Sequence, residues 1–268
     1  MSDKLATTEG RPALLIEHRD GADWLTLNRP HKLNALDDAM IAELNAYFHA
    51  LPARSEKRVV VIRGAGRAFC AGLDLDSMRT EDTRTIDALL AKQKSISGLI
   101  LAMRRAPQPI ISLVHGAACG GGFAIALASD IRIAGKSARM NAAFIRLGLS
   151  GCDVGVSYLL PRLIGASVAS ELLLTGNFIA ADRALATGLV SQVVEDDALA
   201  DAAARFMDAM LAASPMGLRM TKECLRMSID APSLDAAVEM EDRTQVLCAL
   251  GSLAEGVAAF GQKRPPQY

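Results

Sequence analysis

The chain has 268 residues, 51% of them apolar, and a formal net charge of −1, enough for one well-filled core with a helical appendage or for two small domains. That charge balance gives no support to a nucleic-acid or membrane surface. The five cysteines, odd in number and without CxxC or Cys/His ligand spacing, exclude a disulfide framework and a metal site and read as reduced thiols of a cytoplasmic protein.

The opening residues, MSDKLATTEGRP, carry charge and no apolar h-region, so they do not read as a signal peptide. No run of about 18 uninterrupted apolar residues predicts a membrane span. Leu14–Arg19 and Trp24–Leu27 flank Asp20-Gly21 and predict a β-hairpin. Asn34 to Leu51 predicts a helix, with Ala35, Leu36, Met40, Ile41, Leu44 and Phe48 near one face. Val59–Leu75 (VVVIRGAGRAFCAGLDL) opens as an apolar strand and turns at Gly64-Ala65-Gly66. It turns again at Ala71-Gly72, which exposes the N–H of Leu73. Residues 76–84 read as a polar loop. Thr85–Arg105 reads as an amphipathic helix on Ile86, Leu89, Leu90, Ile96, Leu99, Ile100 and Met103.

Pro109–Val114 then predicts a buried strand leading into HGAACGGGFAIALASD, residues 115–130, where three glycines open an alanine-rich buried helix. Glycines at such a junction let a ligand approach the backbone, and the first helical N–H groups have no partner inside the helix. This is the anatomy of an anion site, or equally of a tight turn packed under another helix. The Leu73 turn supplies a second candidate donor. Two N–H groups converging from separate loops form an oxyanion hole, in which one donor stabilises a carbonyl oxygen gaining charge by about 3–4 kcal/mol. Strands follow at Ile131–Ala134 and Val190–Val194. From Asp196 the pattern is helical only, over 198–212, 216–228, 233–251 and 252–260.

Five segments, LNRPHKLNAL (27–36), GRAFCAGLDL (66–75), GAACGGGFAIALASDIRIA (116–134), LATGLVSQVV (185–194) and EGVAAFGQKRPP (255–266), together resemble the crotonase superfamily, also called the enoyl-CoA hydratase/isomerase family. The resemblance covers nearly the whole chain. It implies an α/β fold with a ββα spiral core over 1–195 holding the acyl-CoA site. A C-terminal α-helical region over 196–268 would serve trimerisation, giving a homotrimer or a dimer of trimers. It implies an acyl-CoA thioester as substrate, with CoA part of that substrate and no cofactor permanently bound. Leu73 and Gly121 then supply the oxyanion N–H groups. Lys32, Ala71 and the tail residue Lys263 are the implied CoA contacts; for the two lysines a solvated basic side chain is the equal alternative.

Hydratases of that family hold a water between two glutamates. The matching positions here are Ala124 and Phe144, and neither can move a proton. The acid left nearby is Asp153, in GLSGCDVGVSYLLPR. Dienoyl-CoA isomerases of the family carry an aspartate in this loop, in a Gly-Leu…Asp-Val-Gly pattern one residue shorter. The family's chlorobenzoyl-CoA dehalogenase is also similar here, but its catalytic histidine falls near Ser97. Asp153 reads either as a general acid and base or as the N-cap of the next helix. A lone carboxylate suits a one-base proton shift that moves a double bond better than it suits paired-acid hydration. Isomerase-type chemistry is therefore the leading expectation, beside an atypical hydratase and a catalytically lost acyl-CoA-binding protein. His115 reads as a buried, hydrogen-bonded structural histidine, and Asp74 and Asp76 as loop or cap residues.

Overall fold

The computed structural model describes residues 12–19, 21–78 and 85–268. The segment read for a signal peptide, Asp20 of the hairpin turn and most of the polar stretch 76–84 lie outside them, apart from Pro12 and residues 76–78. β1 (Leu14–Arg19) and β2 (Ala22–Leu27) pair antiparallel from Leu14↔Leu27 to Arg19↔Ala22, forming the expected hairpin.

α1 (Asp38–Ala50) begins later than its apolar spacing suggests. Asp37 caps it by accepting from the Met40 N–H at 2.9 Å, which satisfies one of the donors left free at a helix start. Asn34 stays in a loop at φ 56°. Its buried amide donates to the carbonyls of Ala65 and Ala68 at 2.8 Å each, pinning the first glycine turn.

β3 (Val59–Gly64) is followed by α2 (Ile86–Arg105), capped by Thr85, and by β4 (Ile110–Val114). β5 (Ala117–Cys119), α3 (Gly121–Ala128), β6 (Ile131–Gly135) and β7 (Arg139–Asn141) come next. Then follow α4 (Val156–Ile164), α5 (Ala166–Thr175), β8 (Ile179–Ala180), α6 (Ala181–Ala186) and β9 (Gln192–Val194). The main sheet runs β1-β2-β3-β4-β6-β9, parallel from β2 onward, and β5-β7-β8 form a second, smaller sheet. β5 and β7 have three residues each, too short for a period of two to register in the sequence.

Both faces of the inner parallel strands β2, β3, β4 and β6 are largely buried, as parallel strands require, while the edge strand β1 is mostly exposed. Val60 and Ile62 point into the larger core with Leu25, Phe48, Leu99 and Phe123 from the surrounding elements. Val59 and Val61 alternate to the other face, with Trp24, Ile111 and Ile133. α7 (Leu199–Ala212) covers that face through Leu199, Ala202, Ala203 and Met207.

Beyond it lie α8 (Pro215–Ser228), α9 (Leu234–Cys248) and α10 (Ala254–Gln262). A π-helical turn at Ala249–Leu253 joins the last two into one helix from Leu234 to Gln262, the one described helix long and apolar enough to cross a membrane by length and composition. Leu234, Val238 and Leu247 are among its exposed apolar residues, and five others share a regular spacing. Val246, Leu250, Leu253, Val257 and Phe260 follow a 4-3-4-3 spacing and are 56–87% exposed. That is the spacing of a helix–helix seam.

Candidate active site

Two loops and one helix start build the site. The loop after β3 is stitched to β5, with the Cys70 N–H on the Ala117 carbonyl at 3.0 Å and the Cys119 N–H on the Cys70 carbonyl at 2.9 Å. Its far side is tied to Leu36, whose N–H reaches the Gly72 carbonyl at 2.7 Å and whose carbonyl accepts from the Asp74 N–H at 2.9 Å. Along an extended chain alternate peptide groups face opposite ways, so the Leu73 N–H points away from Leu36. It donates to no acceptor among the described residues.

Gly121 is the first residue of α3, and its N–H is likewise without an acceptor among the described residues; the helix's hydrogen bonding starts with the Ala124 N–H on the Gly120 carbonyl at 2.9 Å. Two glycines set how closely the loops meet. Gly72 has φ 95°, and a Cβ there would stand 2.8 Å from the Cys119 carbonyl oxygen and 3.6 Å from the Gly121 nitrogen. A Cβ on Gly122 would fall 2.3 Å from the Cys70 carbonyl oxygen. No side chain larger than glycine fits at either position without moving the backbone.

These groups border a cavity of about 420 Å³ that brings Ala71, Leu73, Gly121 and Asp153 together. Its walls are apolar: Leu36, Leu75, Ile96, Phe144, Leu147 and Leu149. Phe144 lies against the helix start, its ring 3.4 Å from where a Cβ of Gly120 would be. Ala124 is buried inside α3 and does not border the cavity. Asp153 carries the one ionisable side chain on the cavity wall among the described residues, and Gln93 of α2 supplies the one other polar side chain.

Asp153 is half-buried and is not a helix N-cap. α4 starts at Val156 behind Gly155, which is left-handed at φ 83° and offers no side-chain acceptor. The Oδ1 of Asp153 instead accepts from the Gln93 Nε2 and from the Val154 N–H, the latter at 2.8 Å. Val154 itself has φ 39°, a region that β-branched residues avoid at a cost of about 1–3 kcal/mol.

Gln93 escapes a search for acids, yet the sequence carries a trace of it. It falls at helical spacing with Leu89, Ile96 and Ile100, a polar residue within an apolar stripe.

Lys32 and Lys263 do not border the cavity. The Lys32 Nζ pairs with Asp76 Oδ2 at 2.7 Å, and the hydrogen bond and charge of Asp76 push its pKa up. Beside it, Arg29 binds Asp37 at 3.0 Å and Asp74 at 2.9 Å, tying the loop before α1 to the loop that carries Leu73. Burial opposes ionisation of Asp74, but the Arg29 hydrogen bond, the Asp76 N–H and the nearby cations together hold its pKa below the usual range. Asp74 therefore acts as an anchor.

Lys263 follows α10 in a left-handed conformation and is exposed, whereas its neighbour Arg264 is held by Glu255 at 2.6 Å. That hydrogen bond, with the Gln267 N–H, lowers the Glu255 carboxyl to about 2. His115 is half-buried, with Nε2 2.8 Å from the Gly66 carbonyl oxygen. Among the described residues no group of His, Cys, Asp and Glu is arranged to hold a metal.

A family model described as enoyl-CoA hydratase/isomerase matches residues 17–268. A protein of Mycobacterium tuberculosis named as a probable enoyl-CoA hydratase is 37% identical over 262 residues, 95% of this chain and 92% of that one. The 1,2-epoxyphenylacetyl-CoA isomerase of Escherichia coli is 36% identical over 257 residues, 95% of this chain and 97% of that one. The crystal structure of an enoyl-CoA hydratase from Mycobacterium smegmatis matches with a TM-score of 0.90 at 34% identity, covering 96% of this chain and 99% of that one.

Proposed function

The chain belongs to the enoyl-CoA hydratase/isomerase family, and from that membership we propose that it moves a double bond within an acyl-CoA thioester, using a two-donor oxyanion hole and one carboxylate. Its fold is the mixed α/β crotonase fold with a C-terminal helical region, and it is an enzyme of the hydratase/isomerase type.

In this reading the N–H groups of Leu73 and Gly121 receive the thioester carbonyl oxygen. Polarising that carbonyl acidifies C2 of a 3-enoyl thioester. Asp153 removes a C2 proton, and the electron pair runs through the new C1–C2 bond onto the oxygen held in the hole. The carboxylic acid so formed, half-exposed and in exchange with solvent, delivers a proton to C4, the carbonyl re-forms and the double bond stands between C2 and C3. No water enters and none leaves. A single base on one face serves both transfers, which is the task one carboxylate in an apolar cavity can perform.

The observation that carries this reading is the composition of the cavity wall: among the described residues one ionisable side chain, Asp153, shares it with two residues, Leu73 and Gly121, whose N–H groups have no acceptor. Asp153→Asn tests it, with an expected loss of at least about a thousandfold in turnover of every active thioester and acyl-CoA binding retained. Unchanged turnover would remove Asp153 from the mechanism. The name of the mycobacterial relative favours a second reading, hydration with one acid, in which water adds across the double bond.

Lys32, Ala71 and Lys263 are the proposed CoA contacts. Ala71 lines the cavity beside Leu73; Lys32 would exchange Asp76 for a phosphate, and Lys263 would reach the CoA of a neighbouring subunit. The row of Val246, Leu250, Leu253, Val257 and Phe260 supports a subunit contact, as a homotrimer or a dimer of trimers requires.

A further inference from the structure

We infer that Gln93 is a positioning residue: its side-chain amide, by donating to Oδ1 of Asp153, fixes the orientation of the carboxylate and leaves Oδ2 as the oxygen that exchanges protons with the substrate. This rests on Asp153 being the proton-transfer group.

The geometry separates the two oxygens of Asp153. Oδ1 takes both the Gln93 Nε2 and the Val154 N–H, while Oδ2 accepts from no donor among the described residues. Both donors on one oxygen remove the side chain's rotational choice, so the second oxygen is presented in a fixed direction.

The Val154 N–H is a local contact. Gln93 is 60 residues away in sequence and ties the aspartate to α2, a helix anchored in the core by Ile96, Leu99, Ile100 and Met103. No other side chain donates to Asp153 among the described residues. The adjacent cation on α2, Lys92, is committed elsewhere, 3.1 Å from Asp38 Oδ1 and 3.1 Å from the Ser77 carbonyl. No charged side chain besides Asp153 lines the cavity among the described residues. Gln93 stands exposed at the rim of the cavity, so an acyl group filling the cavity would cover the Gln93–Asp153 bond and remove water that competes for it.

Losing the donor frees the carboxylate to rotate, which affects the chemical step and not substrate binding. The test measures kcat and KM for the full chain and for Asp153→Asn, Gln93→Met and Gln93→Lys. Gln93→Met keeps length and removes the donor. It is expected to lower kcat about tenfold or more and leave KM within about twofold. Gln93→Lys keeps a donor, so its kcat is expected to lie above that of Gln93→Met. A Gln93→Met protein with kcat unchanged, beside an inactive Asp153→Asn, overturns the positioning role alone. Full turnover in Asp153→Asn overturns both this inference and the proposed mechanism.

Discussion

Leu36 and Leu73 pair as a one-residue parallel bridge, and that bridge decides which way the Leu73 N–H faces. The loop that carries it is held on its other side by β5, so the donor is fixed from two directions. Gly72 stands where this loop meets the start of α3. Gly72→Ala forces a Cβ to within 2.8 Å of the Cys119 carbonyl at a φ of 95°, where L side chains are strained. The expected outcome is a loss of about a hundredfold or more in kcat with the cooperative thermal transition retained, read by steady-state kinetics and circular dichroism.

Asp74→Asn tests the anchor beneath the same loop. Removing the charge from the Arg29 pair is expected to cost about 1–3 kcal/mol of stability at pH 7. The folded-state pKa of Asp74 lies below its ordinary value of 3.8, so the contribution is present above that pH and is lost as pH falls through the folded pKa. Urea titrations of the two proteins should therefore differ at pH 7 and converge in strong acid.

How much of this was readable beforehand depends on whether a feature is local. The glycine run, the exposed turn at Ala71-Gly72 and the lone acid Asp153 are legible because each is set by residue type within a few positions. The start of α1 was not: Ala35 and Leu36 extend its apolar stripe, but Leu36 is buried because it bridges Leu73, a long-range contact. Asp153 followed by Val-Gly-Val-Ser resembles a cap, yet the left-handed Val154 and Gly155 carry the chain away before the helix begins. Gln93 meets Asp153 only through the packing of α2, which no local pattern encodes.

The cysteines should react in order of exposure. Cys70 is buried and its thiol is pushed up to about 12 by desolvation, and burial also raises Cys119. Cys152 is exposed, beside Asp153. Alkylation with iodoacetamide at pH 8, followed by peptide mass spectrometry, should label Cys152 first and Cys70 only after unfolding.

The seam on the long C-terminal helix predicts a subunit contact. Leu250→Asp combined with Val257→Asp places two charges in the middle of the stripe and should convert a homotrimer to monomers in analytical ultracentrifugation, with helical content retained. A wild-type protein that sediments as a monomer would remove the basis for this assignment.

The central claim is a proton shift by one carboxylate without water addition. Its most direct measurement is incubation of the purified protein with enoyl-, dienoyl- and aryl-CoA thioesters in D₂O, followed by mass spectrometry of the thioester. The account predicts a shifted double bond with deuterium incorporated at carbon and no gain of water, and loss of both in Asp153→Asn. A product heavier by one molecule of D₂O, formed at rates unaffected by Asp153→Asn, would contradict it.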